Sequence, residues 1–318
     1  MILITGINGE MGTALVEHLS SRKNDKIIGI DIAPAKKTIQ SLLYKSYVGD
    51  IRNKKMLDEV FSENKISTIY HLAAILSTKA ESDPFFSHQV NVSGFLNLIE
   101  VIKINKAPIK FFFPSSIAVY FLKDSNKIVR ENEFCVPNNI YGCNKLYCEK
   151  LGIYFNNYAQ DMPKFDFRSI RFPGIISYKT LPQGGTSDYA PQMIHNAIQN
   201  KNYDCFVNEK SCIPFMLMED AINAITKLMD ADKINLTKNV YHIQAFSPTV
   251  KEIYEELKIL FPKFKLTYNV NKKRQMLIDS WPSKLNQINA ERDWHWKPKY
   301  DFKKGLKYLV PKIKEFYK

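Results

Sequence analysis

Ile2-Leu3-Ile4-Thr5-Gly6-Ile7-Asn8-Gly9-Glu10-Met11-Gly12 is the stretch that decides the fold. A short apolar run passes directly into three glycines, and Leu15, Val16 and Leu19 then recur at helical spacing. Strand, glycine turn and helix in that order form the opening unit of a dinucleotide-binding sheet. Gly6 allows the tight turn, Gly9 lets backbone approach a pyrophosphate, and Gly12 lets the helix pack on the strand. Ile7, Asn8, Glu10 and Met11 complete the same turn, and the helix N-terminus adds N–H donors and partial positive charge. The spacing is G-x-x-G-x-x-G and not the commoner G-x-G-x-x-G. A strand–helix turn without a ligand is therefore the alternative reading.

Asp31 weighs against that alternative. It ends a second apolar run, Ile27–Asp31, nineteen residues after Gly12, with Ile32 following. A carboxylate there can hydrogen-bond a ribose 2′-hydroxyl and repel a 2′-phosphate, which favours NAD over NADP. Arg22, Lys36 and Lys37 keep NADP open. Asp50, after a third short strand at Ser46–Val48, either sits where adenine would lie or caps the helix expected from 53 to 64.

Strand and helix signals alternate through the first 175 residues. Strands are expected at Thr68–Leu72, Lys110–Pro114 and Phe165–Ile170, and helices around Met56–Phe61, from Pro84 to Ile104 and from Tyr141 to Ala159. Such alternation implies right-handed crossovers and an α/β fold with a Rossmann-type doubly wound parallel sheet. After Pro173-Gly174 the regularity fades, past the turn-rich Pro182-Gln183-Gly184-Gly185-Thr186. Residues 1–175 are expected to form the NAD-binding domain. Residues 176–318 are expected to form a smaller α/β substrate-binding cap, with some elements returning to the first domain.

The chain of 318 residues carries a net charge of +13, with 45% hydrophobic residues. The lysines are dispersed and form no block of like charge, so a solvated surface is expected and nucleic acid is not a partner. No run of eighteen apolar residues suggests a membrane span. Five cysteines without a C-x-x-C pair, and no leader-like segment, fit reduced thiols and a cytoplasmic enzyme, or a mitochondrial matrix one if a presequence has been trimmed. No cluster has metal-ligand spacing.

The chemistry is concentrated in Tyr141-Gly142-Cys143-Asn144-Lys145. Tyrosine and lysine four residues apart share one face of a helix. An ammonium beside a phenol favours the phenolate, which can then take a proton from a substrate hydroxyl. Ser115 and Ser116 follow the Lys110–Pro114 strand, whose carboxyl end faces the ligand crevice of such sheets. Ser116 is positioned to hydrogen-bond the reacting oxygen. Cys143 is read as a small filler or as an oxidation liability.

Thr5-Gly6-x-x-Gly9-x-x-Gly12, Asp31, Asp50-Ile51, His71-Leu72-Ala73-Ala74, Ser115-Ser116 and Tyr141-x-x-x-Lys145 together resemble the extended short-chain dehydrogenase/reductase family. Stretches further along resemble its threonine-oxidising branch, the short-chain L-threonine 3-dehydrogenases. They are Arg171–Thr180, Gly184–Ala190, Asp279-Ser280-Trp281-Pro282 and Arg292–Pro298. The resemblance implies oxidation of L-threonine by NAD. Tyr141 would be the base, Ser116 would orient the hydroxyl, and Lys145 would lower the phenol pKa and bind ribose. Leu72, Ala73, Ala74 and Ile175 would touch the cofactor. Ser77, Ser115, Thr186, Ser187 and Trp281 would line the substrate pocket, although Trp281 could be core and Thr186 a turn residue. His71 is expected to support its turn and not to catalyse. A homodimer through the helices at 84–104 and 141–159 is also implied. Competing readings are a nucleotide-sugar epimerase or dehydratase of the same extended family and a non-enzymatic NAD(H)-sensing protein.

Overall fold

Ile2–Thr5 forms the first strand, and the computed structural model describes the chain over residues 1–22, 25–182 and 185–317. Gln183 and Gly184 of the expected glycine turn lie outside the described residues. In chain order the elements are β1 (Ile2–Thr5), α1 (Glu10–Ser20), β2 (Ile27–Asp31), α2 (Lys37–Gln40), β3 (Lys45–Val48), α3 (Lys54–Glu63), β4 (Thr68–His71), α4 (Ser77–Ser82), α5 (Pro84–His88), α6 (Gly94–Asn105) and β5 (Ile109–Ser116). There follow β6 (Ile128–Val129), α7 (Ile140–Asn157), β7 (Phe165–Phe172), β8 (Gly174–Ile176), α8 (Tyr189–Ile198), β9 (Tyr203–Cys205), β10 (Phe215–Leu217), α9 (Met218–Asp230) and β11 (Val240–His242). The last are α10 (Val250–Leu260), β12 (Leu266–Tyr268), α11 (Lys272–Asp279), β13 (Lys284–Leu285), α12 (Ile288–Trp294) and α13 (Phe302–Phe316).

Residues 1–116, 138–171 and 222–241 make one compact unit, and 117–137, 172–221 and 242–318 make another. The division is thus not one cut near residue 175, because 117–137 and 222–241 each join the other unit.

In the first unit seven strands form one sheet in the order β11-β7-β5-β4-β1-β2-β3. β1 runs parallel to both β2 and β4, β2 to β3, and β4 to β5. Strands covered on both faces are apolar almost throughout. Phe111 and Phe113 of β5 and Phe167 of β7 accordingly pack around Phe95 of α6, with Phe95–Phe111 centroids 5.6 Å apart. Leu57, Val60, Leu98 and Ile102 complete that face. Each such side chain contributes about 1.5–3 kcal/mol of burial.

The single helix expected from Pro84 to Ile104 is broken in pitch. Between α5 and α6, Gln89–Ser93 forms a π-helical turn. One extra residue per turn shifts the helical phase and aims Asn91 inward, a change that apolar periodicity does not register. In the second unit three short parallel pairs, β8–β10, β9–β12 and β6–β13, replace an extended sheet.

Candidate active site

The glycine turn is built by close approach. Gly6 has φ +75°, and a Cβ there would stand 2.7 Å from the Ala73 nitrogen; a Cβ on Gly12 would stand 2.1 Å from the Gly6 carbonyl oxygen. At Gly9 an added Cβ would meet only the Gly6 oxygen, at 3.2 Å. Gly9 is the N-cap of α1 and supplies no side-chain cap, and a helix N-terminus of this kind suits an anion.

Asp31 is fixed at the carboxyl end of β2. It accepts from the Asn8 N–H at 2.9 Å and the Ala33 N–H at 3.3 Å. The Asn8 amide donates to the carbonyls of Ala33 and Pro34 and accepts from the Lys36 N–H at 2.9 Å. Two carboxylate oxygens engaged by one donor each retain acceptor capacity for ribose hydroxyls. These residues fit an adenine dinucleotide. Ile32 is exposed just beyond Asp31. Lys36 and Lys37 stay near this corner, whereas Arg22 does not: it follows α1 and pairs with Asp230 at 2.9 Å. The capping alternative for Asp50 is taken by Asn53, whose side chain accepts from the Met56 N–H. Asp50 instead pairs with Arg52 at 2.7 Å, and that guanidinium holds its carboxyl below the usual range. Ile51 is buried, and its carbonyl accepts from Asn97 of α6 at 3.1 Å.

The loop after β4 is tied on both sides. Leu72 and Ala73 donate to the carbonyl and hydroxyl oxygens of Thr5. Ala74 lies between them and Ile75, whose N–H and C=O both bond the Asn91 side chain, at 2.7 and 3.0 Å. His71 is buried against Phe113, shares a 2.8 Å hydrogen bond with Thr5, and is pushed down to about 3 by burial, so it stays neutral. Ser77 opens α4 and is half-buried. Glu81 of that helix accepts the Ile140 N–H at 2.7 Å, and Asn139 caps α7 by accepting the Gly142 N–H at 2.7 Å.

α7 carries Tyr141 and Lys145 on one face. The buried Lys145 ammonium donates to the Pro114 carbonyl at 2.7 Å and lies 4.6 Å from the Phe113 ring centroid and 5.5 Å from that of Tyr141. The lysine thereby joins the tyrosine's helix to the end of β5, where Ser116 is the last residue. Burial lowers Lys145 to about 8 and pushes the Tyr141 phenol above its ordinary value. The depressed phenol expected from the sequence is thus not a property of these two residues alone, because desolvation outweighs the lysine charge. Ser115 is buried and its hydroxyl is directed to Glu149, itself paired with Arg171 at 2.6 Å. Cys143 points to solvent.

In the second unit, Ile175 is central in β8, opposite Met216. Thr186 is buried and Ser187 half-buried in a turn that Asp188 closes by accepting the Gly185 N–H at 2.7 Å. Trp281 follows α11 and is 5% exposed, and its indole N–H has no acceptor among the described residues.

The sequence profile of the NAD dependent epimerase/dehydratase family matches residues 2–243. The chain belongs to that family. It is accordingly an NAD-dependent oxidoreductase of the extended short-chain type, acting on a small molecule. It is 34% identical over 315 residues to an uncharacterised epimerase/dehydratase of Staphylococcus saprophyticus, covering 98% of this chain and 96% of that one. It is 32% identical over 303 residues to the mitochondrial L-threonine 3-dehydrogenase of Bos taurus, covering 94% and 79%. The apo form of a monomeric L-threonine 3-dehydrogenase from a metagenome superposes with a TM-score of 0.90 at 34% identity, covering all of both chains.

In this epimerase/dehydratase-family chain a cavity of about 410 Å³ opens at the amino edge of the sheet, beside Met1, Arg22, Thr68 and Lys110. Open α/β sheets bind ligands at the carboxyl edge, so that cavity is not the active site. The sequence gives no role to Asn91, Asn97, Glu149 or Arg274, and Arg171 enters only as the first residue of the Arg171–Thr180 stretch. Arg274 stacks 3.6 Å from the Phe206 centroid and donates to the Gly185 carbonyl at 2.6 Å, holding the turn before Thr186. A signal existed for Arg171: β7 carries Asp166, Arg168 and Arg171, and charges in an inner strand need buried partners.

Proposed function

We propose that the enzyme oxidises the β-hydroxyl of L-threonine with NAD, giving 2-amino-3-oxobutanoate. One observation carries the substrate. The family profile ends at residue 243, but the likeness to threonine 3-dehydrogenases continues to the end of the chain. That last part holds Asp279–Pro282 and Arg292–Pro298, which the general family pattern does not require. Tyr141, as phenolate, takes the hydroxyl proton, and Ser116 orients that hydroxyl and stabilises the forming carbonyl. Lys145 keeps its charge beside the phenol and binds ribose. Bound NAD supplies the hydride acceptor and a positive charge that favours the phenolate.

Gly6–Gly12, Asp31, Ile32, Asp50, Ile51 and Leu72–Ala74 hold the cofactor, with Ile175 at the nicotinamide. Ser77, Thr186, Ser187 and Trp281 line the amino-acid pocket. The unpartnered Trp281 N–H is a donor suited to a carboxylate, since leaving it bare costs about 1–3 kcal/mol. The Ser115 hydroxyl is engaged by Glu149. The active enzyme is a dimer through the surface of α6 and α7. Nucleotide-sugar epimerisation is the second reading, drawn from the family's own description.

Steady release of NADH, followed at about 340 nm, separates the two, because an epimerase returns its hydride and releases none. The threonine reading expects NADH with L-threonine and none with a UDP-hexose. NADH-free turnover of the UDP-hexose would overturn it.

A further inference from the structure

We infer that Glu149, locked by Arg171, is a positioning residue that sets the register of α7 against the end of β5 and so aligns Tyr141, Lys145 and Ser116. The inference rests on the dehydrogenase reading for the identity of the reaction, while the clamp itself is read from contacts.

Glu149 is fully buried and lies one turn beyond Lys145 on α7. Its carboxylate accepts from Arg171 Nε at 2.8 Å and Nη2 at 2.6 Å, and from the Ser115 hydroxyl. One turn earlier, Lys145 donates to the Pro114 carbonyl at 2.7 Å. Two successive turns of one helix therefore grip two successive residues of β5, directly before Ser116. Arg171, near the end of β7, holds the grip from the neighbouring strand. A small slide of α7 along the sheet would break both contacts.

A buried ion pair is a poor source of stability, because desolvation cancels most of its attraction and apolar packing would serve as well. A bidentate guanidinium–carboxylate fork does supply direction, which apolar packing lacks. It also fixes a carboxylate on the catalytic helix, one turn from Lys145. The groups facing Lys145 are Tyr141, Cys148 and Glu149 on α7 and His71 on β4; Glu149 itself faces Arg171 on β7 and Ser115 on β5. Burial lowers Lys145, while Cys148 and Glu149 oppose that shift. The Cys148 thiol is pushed up to about 12 and stays uncharged near neutrality, and His71 stays neutral. Glu149 is thus the carboxylate that opposes the lowering of the buried ammonium.

The test compares the full chain with Glu149→Gln, Glu149→Asp and the paired Glu149→Gln/Arg171→Met, which leaves no orphaned charge. Two readouts are taken: the titration of Lys145 by NMR of labelled lysine, and the pH profile of kcat and KM for L-threonine with NAD. The clamp predicts for Glu149→Gln a Lys145 titration and an alkaline activity limb about one pH unit lower. It predicts kcat about tenfold or more lower with little change in KM. The paired variant should fold and keep both defects, and Glu149→Asp should return the titration towards the parent. An unmoved Lys145 titration, or parental kcat in the paired variant, overturns the inference. If the parent oxidises no threonine but Glu149→Gln still shifts Lys145, the clamp stands and the dehydrogenase reading fails. If the parent oxidises threonine and Lys145 does not shift, the inference fails alone.

Discussion

Desolvation governs the individual groups of the site. Tyr141 is raised and Lys145 lowered by the same burial, so the pair is tuned apart from water and depends on charges placed nearby. Tyr141→Phe removes only the phenol oxygen. Turnover should fall by about 10²- to 10⁴-fold while NAD affinity is kept, as measured by steady-state kinetics and a binding titration. Near-parental kcat would refute the base assignment. Lys145 has a second, opposite consequence. Its folded value of about 8 lies below the ordinary 10.5, so burying the ammonium costs stability below pH 8, and the cost is relieved as pH rises from 8 to 10.5. Lys145→Met should therefore be inactive yet about 1–3 kcal/mol more stable at pH 7, with the advantage vanishing towards pH 10.5. Denaturant unfolding at several pH values reads this directly, and a less stable variant at pH 7 would contradict it.

Buried polar side chains fix where several elements end and meet, within the apolar packing. Arg168 of β7 is the clearest case: it donates to the carbonyls of Leu228 at 2.5 Å and Ala231 at 2.7 Å, at the C-terminus of α9, and pairs with Asp166 at 2.7 Å. Arg168→Met should cost about 2–4 kcal/mol by leaving those acceptors bare, seen as a lower midpoint in denaturant. An unchanged midpoint would show that the carbonyls find other donors. The same contrast explains what was legible in the sequence. Strands β1, β2, β4, β5 and β7 and helices α1, α3 and α7 announce themselves through apolar period, and Tyr141, Lys145 and the glycine turn through spacing. The π-turn at Gln89–Ser93 was hidden because one inserted residue leaves the composition of a helix intact. The two-residue partners β6 and β13 are too short to carry a period. Asn53 and not Asp50 caps α3, a choice between neighbours that propensity does not resolve. The Glu149–Arg171 and Arg274–Gly185 contacts join residues 22 and 89 positions apart, and local pattern carries no information across such separations.

For the whole molecule, two features bear on function. Segments from three parts of the chain enter each compact unit, so Gly6, Asp31 and Tyr141 fall in one and Ile175, Thr186 and Trp281 in the other. Ile104, Tyr147, Tyr154 and Tyr158 stand about half or more exposed along α6 and α7, an apolar surface that dimerisation would cover. Light scattering during gel filtration should give a dimer mass for the parent and a monomer for Tyr154→Glu; a parent that stays monomeric at every concentration, as the metagenome relative is described, contradicts the dimer. No helix among the described residues is long and apolar enough to cross a membrane. The central claim is that Tyr141, aligned with Lys145 and Ser116, takes the hydroxyl proton of L-threonine while the hydride on its β-carbon passes to NAD. L-threonine deuterated at Cβ tests it most directly, with the released cofactor weighed by mass spectrometry. The account predicts reduced cofactor carrying the deuterium, formed more slowly than from unlabelled threonine and lost in Tyr141→Phe. Reduced cofactor without deuterium, or none at all, would contradict it.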